Sequence, residues 1–185
     1  TIGVRAVLEA TPEFVAQEID AVFEDIPPAA VKIGMVSSAA IIETIAERSN
    51  IGGRRTSSST RDGRDFGARL IDEGAVEALT SRLLPLAAVI TPNIMEAEAL
   101  AERAIESSRD QALVAQQLAR HFGCAVLVKG GHNVNDANDV LAEPAAHEDD
   151  EPRITWFRHT RVETENTHGH GLHAFLGDRL RTRTG

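Results

Sequence analysis

The sequence is short of cysteine, long apolar runs and lysine, and each shortage removes a class of protein. Cys124 is its one cysteine, so no internal disulfide framework can form and a reducing cytoplasm is the expected compartment. No apolar stretch approaches the roughly 20 residues needed to span a bilayer. The opening residues show neither the basic nor the apolar region of a signal peptide. A soluble, cytoplasmic chain with no membrane partner is therefore expected. Lys32 and Lys129 are the only lysines, every other basic residue is arginine, and the net charge is -9. Such a surface repels phosphates, which argues against a nucleic-acid partner. The same bias suits life in high salt, or reflects GC-rich coding.

What is present reads as an ordinary globular chain. Its 185 residues, 42% hydrophobic and 25% charged, suit a single α/β-sized domain over 1–185 with a substantial core. Thr11-Pro12-Glu13 is a helix start, with a capping hydroxyl, a proline at the first helical position and an acid near the positive end. Val15, Ile19, Val22, Phe23 and Ile26 follow at helical spacing as the expected buried stripe, and Pro27-Pro28 ends it. Ala30 to Met35 reads as a buried strand, and Ser38 to Arg48 as a helix. A helix over 73–84 precedes a strand over 87–91; helices over 95–103 and 109–122 follow, the second closed by Gly123. Ala125 to Lys129 is the clearest buried strand. Val140-Leu141 and Ile154 to Phe157 are shorter strands around an acidic turn. Strands with continuous apolar character alternating with helices imply a mostly parallel sheet covered by helices.

Residues 52–68 break the pattern. They contain one large apolar residue, Phe66, and read as a polar loop. Yet they sit where the alternation calls for a strand. A poorly packed loop over 54–66, with a gap or irregularity in the sheet, is the expectation.

Three segments carry a family resemblance. Lys32-Ile33-Gly34-Met35 resembles the strand end lining the substrate pocket of hydroxymethylpyrimidine phosphate kinases. Thr91-Pro92-Asn93-Ile94-Met95-Glu96-Ala97-Glu98 resembles their Thr-Pro-Asn-x-x-Glu-Ala segment. Val128-Lys129-Gly130-Gly131-His132, with Asn166-Thr167-His168-Gly169 further on, resembles their nucleotide strand and the entry to their catalytic loop. The order is kept over nearly the whole chain. The resemblance implies a ribokinase-like α/β fold with a central, mostly parallel sheet flanked by helices. It implies ATP and Mg2+ as cofactors and a small pyrimidine as substrate, phosphorylated for thiamine biosynthesis, and it leaves room for a homodimer. A pyridoxine or pyridoxal kinase is the nearest rival, and a non-catalytic remnant the rival from another class.

Each segment also has a plain physical reading. An amide and a carboxylate at a strand's C-terminal end, Asn93 and Glu96, can hold Mg2+ through its waters; the same pair is equally a helix capping box. Lys129, Gly130 and Gly131 offer a positive charge and close backbone approach to phosphate, or merely a strand exit. Gly34 and Met35 are candidate substrate contacts, or a turn and core packing. His168, His170 and His173 are spaced closely enough for zinc, but no carboxylate or cysteine pattern accompanies them.

The catalytic loop departs from the family. Where the family reads Asn-Thr-His-Gly-Thr-Gly-Cys-Thr, residues 166–173 read Asn-Thr-His-Gly-His-Gly-Leu-His. Gly169 and Gly171 keep the glycines that open an anion hole, but Leu172 stands at the position of the family's catalytic cysteine and accepts no proton. Writing His170 to His173 as CAC GGG CTG CAC and reading one base later restores Thr-Gly-Cys-Thr. Thr56 to Thr60 likewise conceals Asp-Val-Val-Val-Asp one base earlier. Asp62 to Gly67 can hide Met-Val-Ala-Thr-Ser-Gly in the opposite shift. Residues of about 55–68 and 170–185 are thus expected to be frameshifted. The family's Gly-rich opening unit and its C-terminal helices have no counterpart here, so an incomplete copy of impaired activity is expected.

Overall fold

A computed structural model describes residues 8–34, 36, 38–50, 56–58, 73–130, 138–145, 147 and 150–158. The chain divides into two compact units. One, Thr1–Leu8 with Arg161–Gly185, lies outside the described residues except for Leu8. The other, Glu9–Thr160, carries every element below.

In chain order these are α1 (Pro12–Asp25), β1 (Lys32–Ile33), α2 (Ala39–Asn50), β2 (Thr56–Ser58), α3 (Glu73–Ala78), β3 (Ala87–Ile90), α4 (Ile94–Ala101), α5 (Ser108–Phe122), β4 (Ala125–Val128), β5 (Asp139–Glu143) and β6 (Arg153–Phe157). The strands form one sheet in the order β1-β2-β3-β4-β5-β6. Pairings from β1 through β4 are parallel, and those of β4 with β5 and β5 with β6 are antiparallel. The parallel sheet expected from the alternation is thus present, with an antiparallel hairpin added at one side.

Local chemistry explains most boundaries. Thr11 caps α1 by accepting from the Phe14 N–H (3.2 Å), and Gly123 closes α5 at φ 63°, a conformation that costs glycine little. The helix expected over 73–84 is shorter. After Ala78 the chain opens into a wide turn over Leu79–Leu83, in which Leu84 N–H bonds Leu79 O, and then tightens through Leu84–Leu86. Thr80 and Ser81 donate back to the Val76 and Glu77 carbonyls (2.9 and 2.6 Å), a competition that loosens helices, and Pro85 has no N–H to extend one.

Three other expectations need correction. The strand expected over Ala30–Met35 is only Lys32–Ile33; Lys32 is exposed and Ile33 buried. Its place at the edge of the described sheet gives it one partner strand. The apolar stripe of α1 is only partly buried: Val15, Ile19 and Phe23 are half-buried, while Val22 and Ile26 remain 54% and 72% exposed, because α1 packs on α2 and no further described layer covers it. Within the polar stretch, the expected loop is replaced at Thr56–Ser58 by a strand held between β1 and β3. Sheet hydrogen bonds are made by backbone, so two flanking strands accept a polar segment. The expected irregularity is there too, as a register shift between Thr56 and Ser57. The rest of 54–66 lies outside the described residues.

The core lies under α2, α3 and α5. Ile42, Leu83, Leu84, Ile90, Val114, Leu118, Val126, Val128 and Val140 are essentially inaccessible, each such side chain contributing about 1.5–3 kcal/mol on burial. Helix α5 packs on α4, β4 and β5. Its apolar face therefore fixes the ends of the central strands, where the site lies. Among the described residues, no helix is long and apolar enough to cross a membrane.

Candidate active site

Two neighbouring parallel strands, β3 and β4, deliver the candidate residues. Chain leaving β3 runs through Thr91 and Pro92 to Asn93, where α4 begins. Chain leaving β4 reaches Lys129, which pairs with Asn93 in a parallel bridge. The Lys129 N–H donates to the Pro92 carbonyl (2.8 Å). Asn93, Glu96 and Lys129 are thereby brought to the carboxyl ends of adjacent strands, where open α/β sheets bind their ligands.

Asn93 and Glu96 form the reciprocal capping box. The Asn93 side-chain oxygen accepts from the Glu96 N–H (2.9 Å) and a Glu96 carboxylate oxygen accepts from the Asn93 N–H (2.8 Å). Glu96 is only 1% exposed. Its negative charge lies in the first turn of α4, against the positive end of the helix. Among the described residues no group of three His, Cys, Asp or Glu side chains could hold a metal. This donor set does not cage a cation directly; it fits contact with an ion that keeps its waters.

Gly130 has a steric reason to be glycine. A Cβ there would lie 2.3 Å from the Asn138 carbonyl oxygen. Its N–H donates to Asp139 Oδ1 (2.8 Å). Gly34 follows β1 at the same end of the parallel strands, and an added Cβ would meet nothing within 4 Å among the described residues. Met35, Gly131, Gly169, Gly171, Leu172 and the histidines at 168, 170 and 173 lie outside the described residues.

Three residues around this site were not singled out from the sequence. Pro92 supplies the carbonyl that holds Lys129. Asp139 holds Gly130. Gln111 is 3% exposed, and its amide nitrogen donates to the carbonyls of Val128 (3.2 Å) and Asn138 (3.1 Å). A signal for Gln111 existed: it continues the stripe of Val114, Ala115, Leu118, Ala119 and Phe122 at helical spacing. A polar residue in an apolar stripe must find partners inside the protein.

A helix-covered sheet, parallel from β1 to β4, whose strand ends present a capped helix, a lysine and a sterically required glycine, has the α/β architecture of ribokinase-like kinases. The phosphomethylpyrimidine kinase family model matches residues 1–173, and the chain belongs to that family. It is 38% identical over 173 residues to the hydroxymethylpyrimidine/phosphomethylpyrimidine kinase of Rhizobium meliloti, covering 92% of this chain and 62% of the relative. It is 41% identical over 177 residues to the thiamine biosynthesis bifunctional protein ThiED of Geobacter sulfurreducens, covering 92% of this chain and 34% of that protein. Among solved structures, the phosphomethylpyrimidine kinase of Clostridium difficile 630 superposes with a TM-score of 0.72 at 35% identity, over 85% of this chain and 66% of that one. The ADP complex of Bacillus subtilis pyridoxal kinase shares the fold, with a TM-score of 0.76 at 22% identity over 89% of this chain and 60% of that one.

Proposed function

We propose that the chain acts in thiamine biosynthesis as a hydroxymethylpyrimidine and phosphomethylpyrimidine kinase, with the catalytic step impaired. The γ-phosphoryl group of ATP passes first to the hydroxymethyl oxygen of hydroxymethylpyrimidine and then, from a second ATP, to a phosphate oxygen of the resulting monophosphate. In each transfer the bond to the ADP oxygen breaks and a new P–O bond forms, and in the first the hydroxyl proton passes to solvent water. One observation carries most of this reading: the bridge of Asn93 to Lys129 at the carboxyl ends of β3 and β4. The names of the similar proteins supply the substrate class.

In this reading Lys129 sets a positive charge beside the nucleotide phosphates, and Gly130 with Gly131 lets the backbone approach them. Asn93 and Glu96 would hold Mg2+ through its waters; a carboxylate can accept several hydrogen bonds, so the capping box does not exhaust Glu96. Bound magnesium would neutralise phosphate charge. Gly34 and Met35 line the pyrimidine site. Gly169 and Gly171 contribute N–H groups to the transferring phosphoryl group. Leu172 takes no proton, and that is the source of the impairment. A cytoplasmic setting and one kinase domain over 1–185 belong to the same proposal.

The test is binding and turnover measured on one preparation. Mg-ADP should raise the Tm of the full chain by mass action, and hydroxymethylpyrimidine should raise it further. ADP release with hydroxymethylpyrimidine should be detectable only at high enzyme concentration. A shift with pyridoxal but none with hydroxymethylpyrimidine would reassign the substrate to the pyridoxal class.

A further inference from the structure

Strand pairing stops short of the residues that matter for phosphate. The β4–β5 ladder ends at Val128 opposite Val140, so Lys129 and Gly130 lie just past the last registered pair. The Pro92 carbonyl holds Lys129 from the β3 side. On the β5 side two side chains take over. Gln111 spans from α5 to the carbonyls of Val128 and Asn138, and Asp139 accepts the N–H of Gly130. Both partners of Gln111 are carbonyl oxygens, so its amide must present its nitrogen, and the two N–H bonds of one NH2 group suffice. The chain entering Lys129-Gly130 and the chain arriving at Asn138-Asp139 are thereby tied together. The 2.3 Å that a Gly130 Cβ would have to the Asn138 oxygen shows how closely.

We propose that Gln111 and Asp139 are positioning residues for nucleotide binding, acting through the Lys129–Gly130 backbone and touching no substrate. The proposal rests on the kinase reading above. Without Gln111 the buried Val128 carbonyl and the part-buried Asn138 carbonyl each lose one donor, and the two chain segments lose their tie, so the strand exit is free to shift. Lys129 and Gly130 would then meet the phosphates in several conformations rather than one, and affinity would fall.

Isothermal titration with Mg-ADP on the full chain separates this role from ordinary stabilisation. Gln111→Leu keeps the size and removes both hydrogen bonds; we expect Mg-ADP to bind about tenfold more weakly through the displaced Lys129–Gly130 backbone. Gln117→Leu is the control: on the same helix, its amide donates to the Ala101 carbonyl (3.1 Å), away from Lys129. It should lower Tm and leave Mg-ADP affinity unchanged. Asp139→Ala should weaken binding as Gln111→Leu does, while Asp139→Asn should restore it, because the amide oxygen still accepts the Gly130 N–H. The Asp139 pair also decides the matter should Gln111→Leu fail to fold. Equal affinities in all variants that fold, or equal losses in Gln117→Leu, would overturn the positioning role while the kinase reading stood. No Mg-ADP binding by the unsubstituted chain would overturn both.

Discussion

Glu96 is a capping residue and, in the proposed function, a contact for magnesium-bound water, and a single substitution separates the two. Its carboxylate accepts from Asn93 N–H within the capping box, and a glutamine at 96 can still accept that bond through its amide oxygen. Glu96→Gln should therefore lower Tm only by the lost charge–dipole attraction, less than Asn93→Ala, which removes the cap and should cost about 1 kcal/mol. If Glu96 also holds magnesium-bound waters, losing the charge should raise the Mg2+ concentration needed for ADP binding by about three- to tenfold, since charge-assisted bonds are the stronger ones. An unchanged Mg2+ requirement would leave Glu96 as a cap alone. Gly34 offers a complementary case. Among the described residues nothing lies within 4 Å of where its Cβ would be, so Gly34→Ala should fold with the same Tm. Any loss of hydroxymethylpyrimidine binding, expected to be roughly tenfold if the ring lies against this backbone, would report contact with the ligand. Identical binding would remove Gly34 from the site.

At the scale of elements, α5 is the clearest case of a helix specified at both ends. Ser107 caps it, accepting from the Asp110 N–H (3.2 Å), and its hydroxyl donates to the Asp110 carboxylate (2.6 Å). That hydroxyl bond is the main cause holding the Asp110 pKa below its ordinary value of 3.8; Arg103 and nearby backbone N–H groups add to it, and partial desolvation opposes it. A carboxylate lowered in the folded state stabilises the fold above its unfolded pKa. That contribution is lost as pH falls through the lowered folded value. Asp110→Asn should accordingly reduce Tm at neutral pH, with the gap to the unsubstituted chain closing under acid conditions below 3.8. Thermal melts across an acid pH series check this, and a gap independent of pH would contradict it. Helix α1 is the opposite case: its periodicity correctly marked a helix over Pro12–Asp25, but periodicity cannot say which neighbour covers the stripe.

For the whole molecule, catalysis depends on parts that act as a unit. A positioned general base is worth about 10²–10⁴-fold, and Leu172 supplies none. Polar residues occupy β2 at the centre of the parallel strands, where the restored frame would place Asp-Val-Val-Val-Asp. Such losses are not additive, so Leu172→Cys alone should recover little turnover of hydroxymethylpyrimidine under Mg-ATP. Restoring both reading frames should recover far more. The nucleotide sequence across codons 50–72 and 165–185 supplies an independent check. Robust turnover by the unaltered chain would contradict the impaired-kinase proposal, whichever substrate it accepts.

The sequence by itself determined those features whose cause is local. Thr11-Pro12, the Asn93–Glu96 box and Gly123 each set a helix end within a few residues, and the apolar runs set β3 and β4 by burial on both faces. The strand ends where Asn93 and Lys129 lie were legible because motif order and strand alternation agree. Only the tertiary structure decided the rest. Thr56–Ser58 became a strand because β1 and β3 offered backbone partners on both sides, an attraction no side chain records. Val22 and Ile26 stayed exposed because burial needs a covering layer, not just a stripe. Gln111 and Asp139 reached the site through contacts made in the folded chain, and Gly130 was held to glycine by the Asn138 backbone. Such contacts join residues far apart in sequence, and they exist only once the chain has packed.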